Sequence, residues 1–285
     1  MATDYTDDLR LAHLLADDAD SISTDRFKAL DLHVMTKPDL TPVSDADQAV
    51  EESLRRTLAK ARSRDAITGE ETGSSGSSSR RWIIDPIDGT KNFVRGVPVW
   101  ATLIGLAVED EVVMSVVSAP QLGRRWWAAQ GQGSWTGKSL MKGTRNHVSD
   151  VRSLDDASLA YASLTAWEER GQLDDFMALM RRCWRTRGYG DFWSYMLVAE
   201  GAVDIAAEPE LAVYDMAALV PIVTEAGGTF TSLDGTPGPW GGNAVATNTH
   251  LHDAVMAFLG SVDLDEDDPD RPDGRPGIVR PLRPM

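Results

Sequence analysis

Hydrophobic and polar positions follow two rhythms along this chain, a helical one at the start and an alternating one after it. Between Asp7 and Ser23, residues Leu9, Leu11, Ala12, Leu14, Leu15, Ala19 and Ile22 recur at helical spacing and predict an amphipathic helix. A turn-rich stretch from Lys37 to Ser44 follows. Ser44 or Asp45 then caps a second helix, Asp45 to Ala61, with Val50, Leu54 and Leu58 on one face. Ala66 to Gly69 reads as a short strand ending in Glu70 and Glu71, and Ser74 to Ser79 as a flexible Gly/Ser loop. A hairpin-like return there would bring Glu70 near Asp85. Trp82 to Ile84 is an apolar run suited to a buried strand. Trp100 to Val108 and Val112 to Val117, parted by Glu109, Asp110 and Glu111, predict an antiparallel hairpin. Arg124 to Ala129 adds a strand whose Trp126 and Trp127 flank a sheet, and a turn follows at Gly131 to Trp135.

From Ser158 onward, strands and helices alternate. Leu159 to Ala162, Arg185 to Gly188, Val203 to Ala207 (ending at Glu208) and Ala244 to Thr247 read as strands. Leu173 to Cys183, Phe192 to Glu200, Val213 to Ala226 and His250 to Leu259 read as helices. Asp215 lies in the first turn of the third of these, and Gly227–Gly228 stops it. The pattern predicts an α/β (α+β) chain with one domain over residues 1–261, built of subdomains near 1–150 and 151–261. Residues 262–285, acidic and then rich in Pro and Arg, read as a disordered tail. Asp263, Asp265 and Asp267 alternate there, but the glycine of a calcium loop is missing.

Composition narrows the functions. With 285 residues, 42% of them hydrophobic, the chain is long enough for a sizeable core. Its formal charge of -16 argues against nucleic acid as a partner and suits a protein that binds cations. Cys183 is the one cysteine, which rules out an intrachain disulfide and fits a reducing compartment. The first residues are acidic and carry no apolar leader, and no apolar run reaches membrane-spanning length, so a cytoplasmic protein without membrane contact is expected. His13 reads as a surface or packing residue. His250 and His252 point different ways along one helix and do not share a metal.

The chemistry concentrates in the run from Trp82 to Phe93. Pro86 keeps Asp85 extended, and Asp88, Gly89 and Thr90 read as a turn and helix start. Carboxylates hold hard cations such as Mg²⁺, and helix-start N–H groups hold phosphate, so a metal site and an anion site stand side by side. Taken alone, Asp-Pro and Asp-Gly also make ordinary turns, and Asp45 and Asp47 also suit a helix dipole.

Further acids fall at the ends of elements: Asp47, Glu70, Asp85, Asp88 and Asp215, with Thr90. The segments Val43–Asp47, Gly69–Glu71, Asp85–Thr90, Tyr214–Ala218 and Thr224–Gly228 resemble the inositol monophosphatase family of Mg²⁺-dependent phosphomonoesterases, in order and in spacing. The resemblance implies a layered α-β-α-β-α sandwich, a homodimer, lithium sensitivity and two or three Mg²⁺ per active site. It implies that Glu70, Asp85, Ile87 (through its carbonyl), Asp88 and Asp215 are metal ligands. Glu70 and Thr90, with Asp47 behind Thr90, position and activate water. Asp88, Gly89 and Thr90 bind phosphate. The extra acid Asp45 leaves open which of Asp45 and Asp47 faces the site.

Within the family, the run Asp85 to Trp100, with Lys91 after Thr90, resembles histidinol-phosphate phosphatases of actinobacterial type, enzymes of histidine biosynthesis. The implied substrate is a small phosphorylated amino alcohol carrying an ammonium and an imidazole. Arg187, Asp191, Glu208 and Asn243 are the candidate substrate-binding residues. Asp191 and Glu208 would meet the cation and Asn243 the imidazole, although Asp191 also suits a plain helix cap. The competing readings are an inositol-phosphate or broader sugar-phosphate phosphatase, and a catalytically idle binding protein. The complete acid set speaks against the last.

Overall fold

The structure is a computed structural model that describes residues 4–37 and 41–260. The expected disordered tail at 262–285 lies outside the described residues. The strands are β1 (Val34–Thr36), β2 (Pro42–Ser44), β3 (Ala66–Gly69), β4 (Gly73–Ser75), β5 (Arg80–Asp88), β6 (Ala101–Val108), β7 (Glu111–Ala119), β8 (Arg124–Ala129), β9 (Gly133–Ser139), β10 (Lys142–Arg145), β11 (Ser158–Ala160), β12 (Arg185–Arg187), β13 (Ile205–Glu208), β14 (Gly228–Thr231) and β15 (Ala244–Asn248). The helices are α1 (Thr6–Arg26), α2 (Asp45–Ala61), α3 (Thr90–Arg95), α4 (Leu164–Glu169), α5 (Leu173–Arg182), α6 (Asp191–Ala199), α7 (Val213–Ala217), α8 (Leu219–Glu225) and α9 (His252–Leu259).

An eight-stranded sheet runs β10-β9-β8-β7-β6-β5-β3-β4, and a five-stranded sheet runs β12-β11-β13-β15-β14. On one face of the larger sheet, Leu15 and Ala19 of α1 and Val50, Leu54 and Leu58 of α2 pack against Ile84, Ile104, Leu106 and Trp127. On the other face, Leu103, Val117 and Trp126 meet Phe192 and Met196 of α6 and Leu219 and Ile222 of α8. The same α6 covers Ala160, Ala206 and Ala246 of the smaller sheet. Beyond that sheet, Ile205, Ala207 and Val245 pack on Phe176 and Leu179 of α5 and Val255 and Leu259 of α9. The layers are therefore α-β-α-β-α, as expected. The adjacent Trp126 and Trp127 enter opposite clusters because successive strand side chains alternate faces. Truncating one wholly buried leucine here, such as Leu58, would cost about 2–5 kcal/mol.

Several short elements escaped the pattern. Pro42–Ser44, expected as loop, pairs with Val34–Thr36, and the expected Gly/Ser loop contributes the edge strand β4. These strands have three residues each, too few for a period to show, and β1 and β4 are exposed along their whole length. The turn after Gly131 continues into a β9–β10 hairpin, and α4 and β14 are short elements that the pattern does not predict. The expected helix from Val213 to Ala226 is two helices divided at Ala218. The return from Glu70 is also different from the hairpin expected: β3 runs parallel to β5, with Gly69 opposite Ile84. Parallel pairing places both strand ends on one side, which sets Glu70 beside Asp85.

Candidate active site

The site forms where β3, β5 and β13 end and where α2, α3, α6 and α7 begin. β5 pairs continuously with β6 as far as Asp85, then breaks register until Asp88. Pro86 lacks the N–H a ladder would use, so the break falls there, and its carbonyl accepts instead from the Thr102 hydroxyl at 2.8 Å. Gly89 follows in the left-handed region, φ 84°, where an added Cβ would stand 3.1 Å from the Val99 carbonyl. Glycine alone suits that turn, and it delivers Thr90 to the start of α3.

Oxygens of Asp85, Asp88 and Asp215 lie within 4.8 Å of one another. Asp85 is 1% exposed, and its carboxylate accepts from the Ile87 N–H at 3.0 Å. Asp88 accepts from the Phe192 N–H at 2.8 Å, and Asp215 from the Ala212 N–H at 2.7 Å. Burial holds the Asp85 carboxyl well above the usual range, with Glu70, Asp88 and Asp215 adding to it. Burial does the same to Asp88, followed by the charges of Asp191 and Asp215. Asp215 is pushed up to about 6, mainly by burial. Carboxylates this crowded and desolvated could hold a cation, and an all-oxygen donor set suits a hard one such as Mg²⁺. The residues therefore fit the metal that the resemblance implies. Glu70 leans toward Lys37, whose ammonium sits 2.7 Å from Glu70 and 2.8 Å from Glu71.

Thr90 and Asp47 come together as expected. The single Thr90 hydroxyl proton is shared between Asp47 Oδ1 at 3.1 Å and the Ile87 carbonyl at 2.9 Å. Asp47 is wholly buried, and its other oxygen accepts from the Ser44 N–H at 2.8 Å and hydroxyl at 2.5 Å. Burial raises the Asp47 carboxyl, and those two bonds oppose the rise. Asp45 turns the other way and pairs with Arg26 at 2.7 Å. Asp47 is thus the acid that faces the site.

A cleft of about 250 Å³ opens over this cluster, lined among others by Glu70, Asp88, Gly89, Thr90, Lys91, Asp191, Tyr195, Glu208 and Asp215. Asp191 adopts a left-handed conformation, φ 49°, which Asp tolerates better than most residues. Its carboxylate accepts from the Asn92 amide at 2.8 Å, and the same amide nitrogen donates to the Val99 carbonyl at 2.9 Å. Burial raises the Asp191 carboxyl, and Lys91 draws it back. Glu208 ends β13, is 8% exposed and has one oxygen with no hydrogen-bond partner. Its carboxyl stands well above the usual range, first through burial and then through Asp191 and Asp215.

Two expected substrate residues are not brought to the cleft. Arg187 lies exposed on the edge strand β12 and donates to the Thr186 carbonyl at 2.7 Å. Asn243 accepts from the Leu233 N–H at 2.6 Å and donates to the Gly241 carbonyl at 2.9 Å, so its amide ties a turn. Among the described residues neither lines the cleft. Conversely, Lys37, Asn92 and Tyr195 stand at the site although the sequence pattern does not point to them. Asn92 was the most readable of these, two residues past Thr90. Lys37 lay in a turn-rich loop and Tyr195 in an apolar helix, with no local signal.

Comparison with known proteins agrees with this geometry. The model of the Inositol monophosphatase family matches residues 5–262. A protein named histidinol-phosphatase from Streptomyces coelicolor is 62% identical over 260 residues, covering 90% of this chain and 98% of its own. Another of that name from Mycobacterium tuberculosis is 56% identical over 254 residues, covering 89% and 98%. Among solved structures, an inositol monophosphatase from Zymomonas mobilis superposes with a TM-score of 0.80 at 32% identity, covering 90% of this chain and 99% of that one. With its acids, its layers and its relatives in agreement, the chain belongs to the inositol monophosphatase family.

Proposed function

We propose that this protein is a Mg²⁺-dependent phosphomonoesterase that hydrolyses L-histidinol phosphate to L-histidinol and phosphate. The observation that carries the substrate is the placement of Asp191 and Glu208. Glu208 is buried and Asp191 half-buried, and both line the same cleft as the Asp85–Asp88–Asp215 cluster. A phosphate ester whose other end is cationic meets carboxylates at its far end, whereas an uncharged polyol leaves them unpaired. The high-identity relatives carry the matching name.

In this reading Glu70, Asp85, Asp88, Asp215 and the Ile87 carbonyl would hold two or three Mg²⁺. When bound, the metal neutralises phosphate oxygens and makes water acidic enough to attack near neutral pH. Asp47 and the Ile87 carbonyl share the Thr90 proton, so the lone pairs of Thr90 are left to receive a hydrogen bond from water. That bond turns the water oxygen toward phosphorus, and Glu70 supports it from the other side. The N-terminal end of α3, at Gly89 and Thr90, cradles the phosphate, and histidinol departs as the ester P–O bond breaks. A cytoplasmic homodimer inhibited by lithium completes the reading. No helix among the described residues is long and apolar enough to cross a membrane. Trp184, 70% exposed beside the edge strand β12, is a surface that pairing would cover.

The test is phosphate release from histidinol phosphate, inositol monophosphate and adenosine bisphosphate, each with Mg²⁺ and with EDTA. Preference for histidinol phosphate is expected, with no turnover in EDTA. Preference for inositol monophosphate would overturn the substrate assignment, and full activity in EDTA would overturn the metal.

A further inference from the structure

Glu51 is a wholly buried acid that the reaction outlined above does not use. It stands four residues after Asp47 on α2, so both carboxylates project from one face of the helix. Asp47 reaches Thr90. Glu51 reaches the turn that follows Glu70. Its Oε1 accepts from the Thr72 N–H at 3.0 Å, the Thr72 hydroxyl and Arg55 Nε at 2.8 Å. Its Oε2 accepts from the Glu71 N–H at 2.7 Å. That N–H belongs to the peptide unit that begins at Glu70, so the bond sets the direction in which Glu70 leaves the strand. On its other side the Glu70 N–H is held by the Ile84 carbonyl at 3.3 Å. Gly69 makes the approach sterically feasible, because a Cβ there would lie 2.5 Å from the Glu51 carboxylate. Arg55 completes the wrapping by donating to the Gly73 carbonyl and the Ser75 hydroxyl.

We propose that Glu51 is a positioning residue for Glu70, so that α2 braces both sides of the metal site, Thr90 through Asp47 and Glu70 through Glu51. The inference rests on the metal-dependent phosphatase reading. A carboxylate is required, not merely a side chain of that size. Glutamine at this position would place its carbonyl where the three donors converge on Oε1. Its NH₂ would then face the Glu71 N–H, donor against donor, next to Glu70.

The experiment is a Mg²⁺ titration of the purified full chain by calorimetry, without substrate, for the wild type, Glu51→Gln and Leu58→Ala. Residues that orient ligands typically govern about ten- to a hundredfold in affinity or activity, and Glu51→Gln is expected to weaken Mg²⁺ binding by that order. The Mg²⁺ needed for half-maximal turnover should rise in parallel, with the KM for histidinol phosphate little changed. Leu58→Ala lowers the melting temperature by emptying core volume and should keep the wild-type isotherm. If Glu51→Gln does not fold, Thr72→Val, which deletes only the hydroxyl bond to Glu51, is judged the same way and should weaken Mg²⁺ binding by a smaller factor. A variant that melts earlier but binds Mg²⁺ as the wild type does would reduce Glu51 to a packing residue and overturn the proposal. A wild-type chain that binds Mg²⁺ yet leaves histidinol phosphate intact would refute the substrate reading alone, since the isotherm involves no substrate.

Discussion

Two sets of buried and half-buried acids, one behind the large sheet and one in the cleft, are built in opposite ways. Behind the sheet each acid has an arginine. Asp20 meets Arg125 at 2.6 Å, Asp8 meets Arg62 and Arg80 at 2.9 Å, and Glu51 meets Arg55 at 2.8 Å. In the cleft, Asp85, Asp88, Asp191, Glu208 and Asp215 make no ion pair with arginine or lysine among the described residues, and burial holds each of their carboxyls up. Desolvated charge is costly when uncompensated. The first set is given a counter-charge by the fold itself, although burial still raises the Asp20 carboxyl against the pull of Arg125. The second is left for a ligand to compensate, which is the mark of a site.

The comparison is broken most sharply by neutralising a cleft acid. Asp88→Asn removes one charged metal ligand while keeping an acceptor for the Phe192 N–H. Several kcal/mol of charge stabilisation disappear, so turnover should fall about a thousandfold. Because like charges crowd there, the same change should raise the melting temperature in EDTA. An inactive but less stable variant would contradict the idea that the crowding is a cost borne for function. Thr90→Ala is the next largest. It deletes the hydroxyl that Asp47 orients without altering the acids, so turnover should drop roughly a hundredfold while Mg²⁺ affinity stays near wild type. Unchanged turnover would remove Thr90 from the mechanism.

How much of this contrast is written locally explains what the sequence could and could not disclose. Asp85, Asp88, Gly89 and Thr90 are contiguous, and their turn chemistry and motif were legible together. Asp47, Glu70 and Asp215 each ended an element, and the family pattern linked them. The choice between Asp45 and Asp47 was not legible, because it depends on where Arg26, nineteen residues earlier, places its guanidinium. Asn243 reads as a free polar group in sequence, yet the turns at Leu233 and Gly241 consume its amide. Arg187 resembles a substrate contact until its strand proves to be a sheet edge. Long-range partners decide such cases, and local pattern carries no record of them. The layered fold was clearer than the three-residue strands, since burial on two faces leaves a long apolar imprint and edge pairing leaves little.

Within the cleft, the comparison sharpens to two kinds of acid: those that serve every phosphate ester and those that choose one. Asp191→Asn keeps an acceptor for Asn92 and a residue tolerant of the left-handed backbone, so it removes charge alone. One charge-assisted hydrogen bond contributes about 1.5–3 kcal/mol, so catalytic efficiency on histidinol phosphate should fall about ten- to a hundredfold. A small uncharged phosphate ester should be hydrolysed nearly as before. Equal losses on both substrates would make Asp191 a structural cap.

The smallest effect on activity belongs behind the sheet, where His13 shares the compensated network. Its ring packs edge-on to Trp127 at 5.1 Å, and Nδ1 faces Arg125 at 3.3 Å. Burial, with the Arg125 charge assisting and Asp17 opposing, lowers its pKa from 6.5 to about 4. The folded value lies below the unfolded one, so on acidification the unfolded chain takes up this proton first. The stabilisation is complete above the unfolded value, declines as pH falls through the window, and is gone below the folded value. At about pH 5 the loss from this residue should be roughly 2 kcal/mol. The crowded cleft carboxyls have the opposite sign in metal-free protein, since their raised values let the folded state accept protons first. Urea unfolding of the wild type and His13→Gln at about pH 7.5 and about pH 5 separates the two contributions. The variant should lose less stability between these conditions, with neutral-pH turnover per folded molecule unchanged. Identical losses in both proteins would mean that His13 has the same pKa folded and unfolded and contributes nothing to the acid sensitivity of this layer.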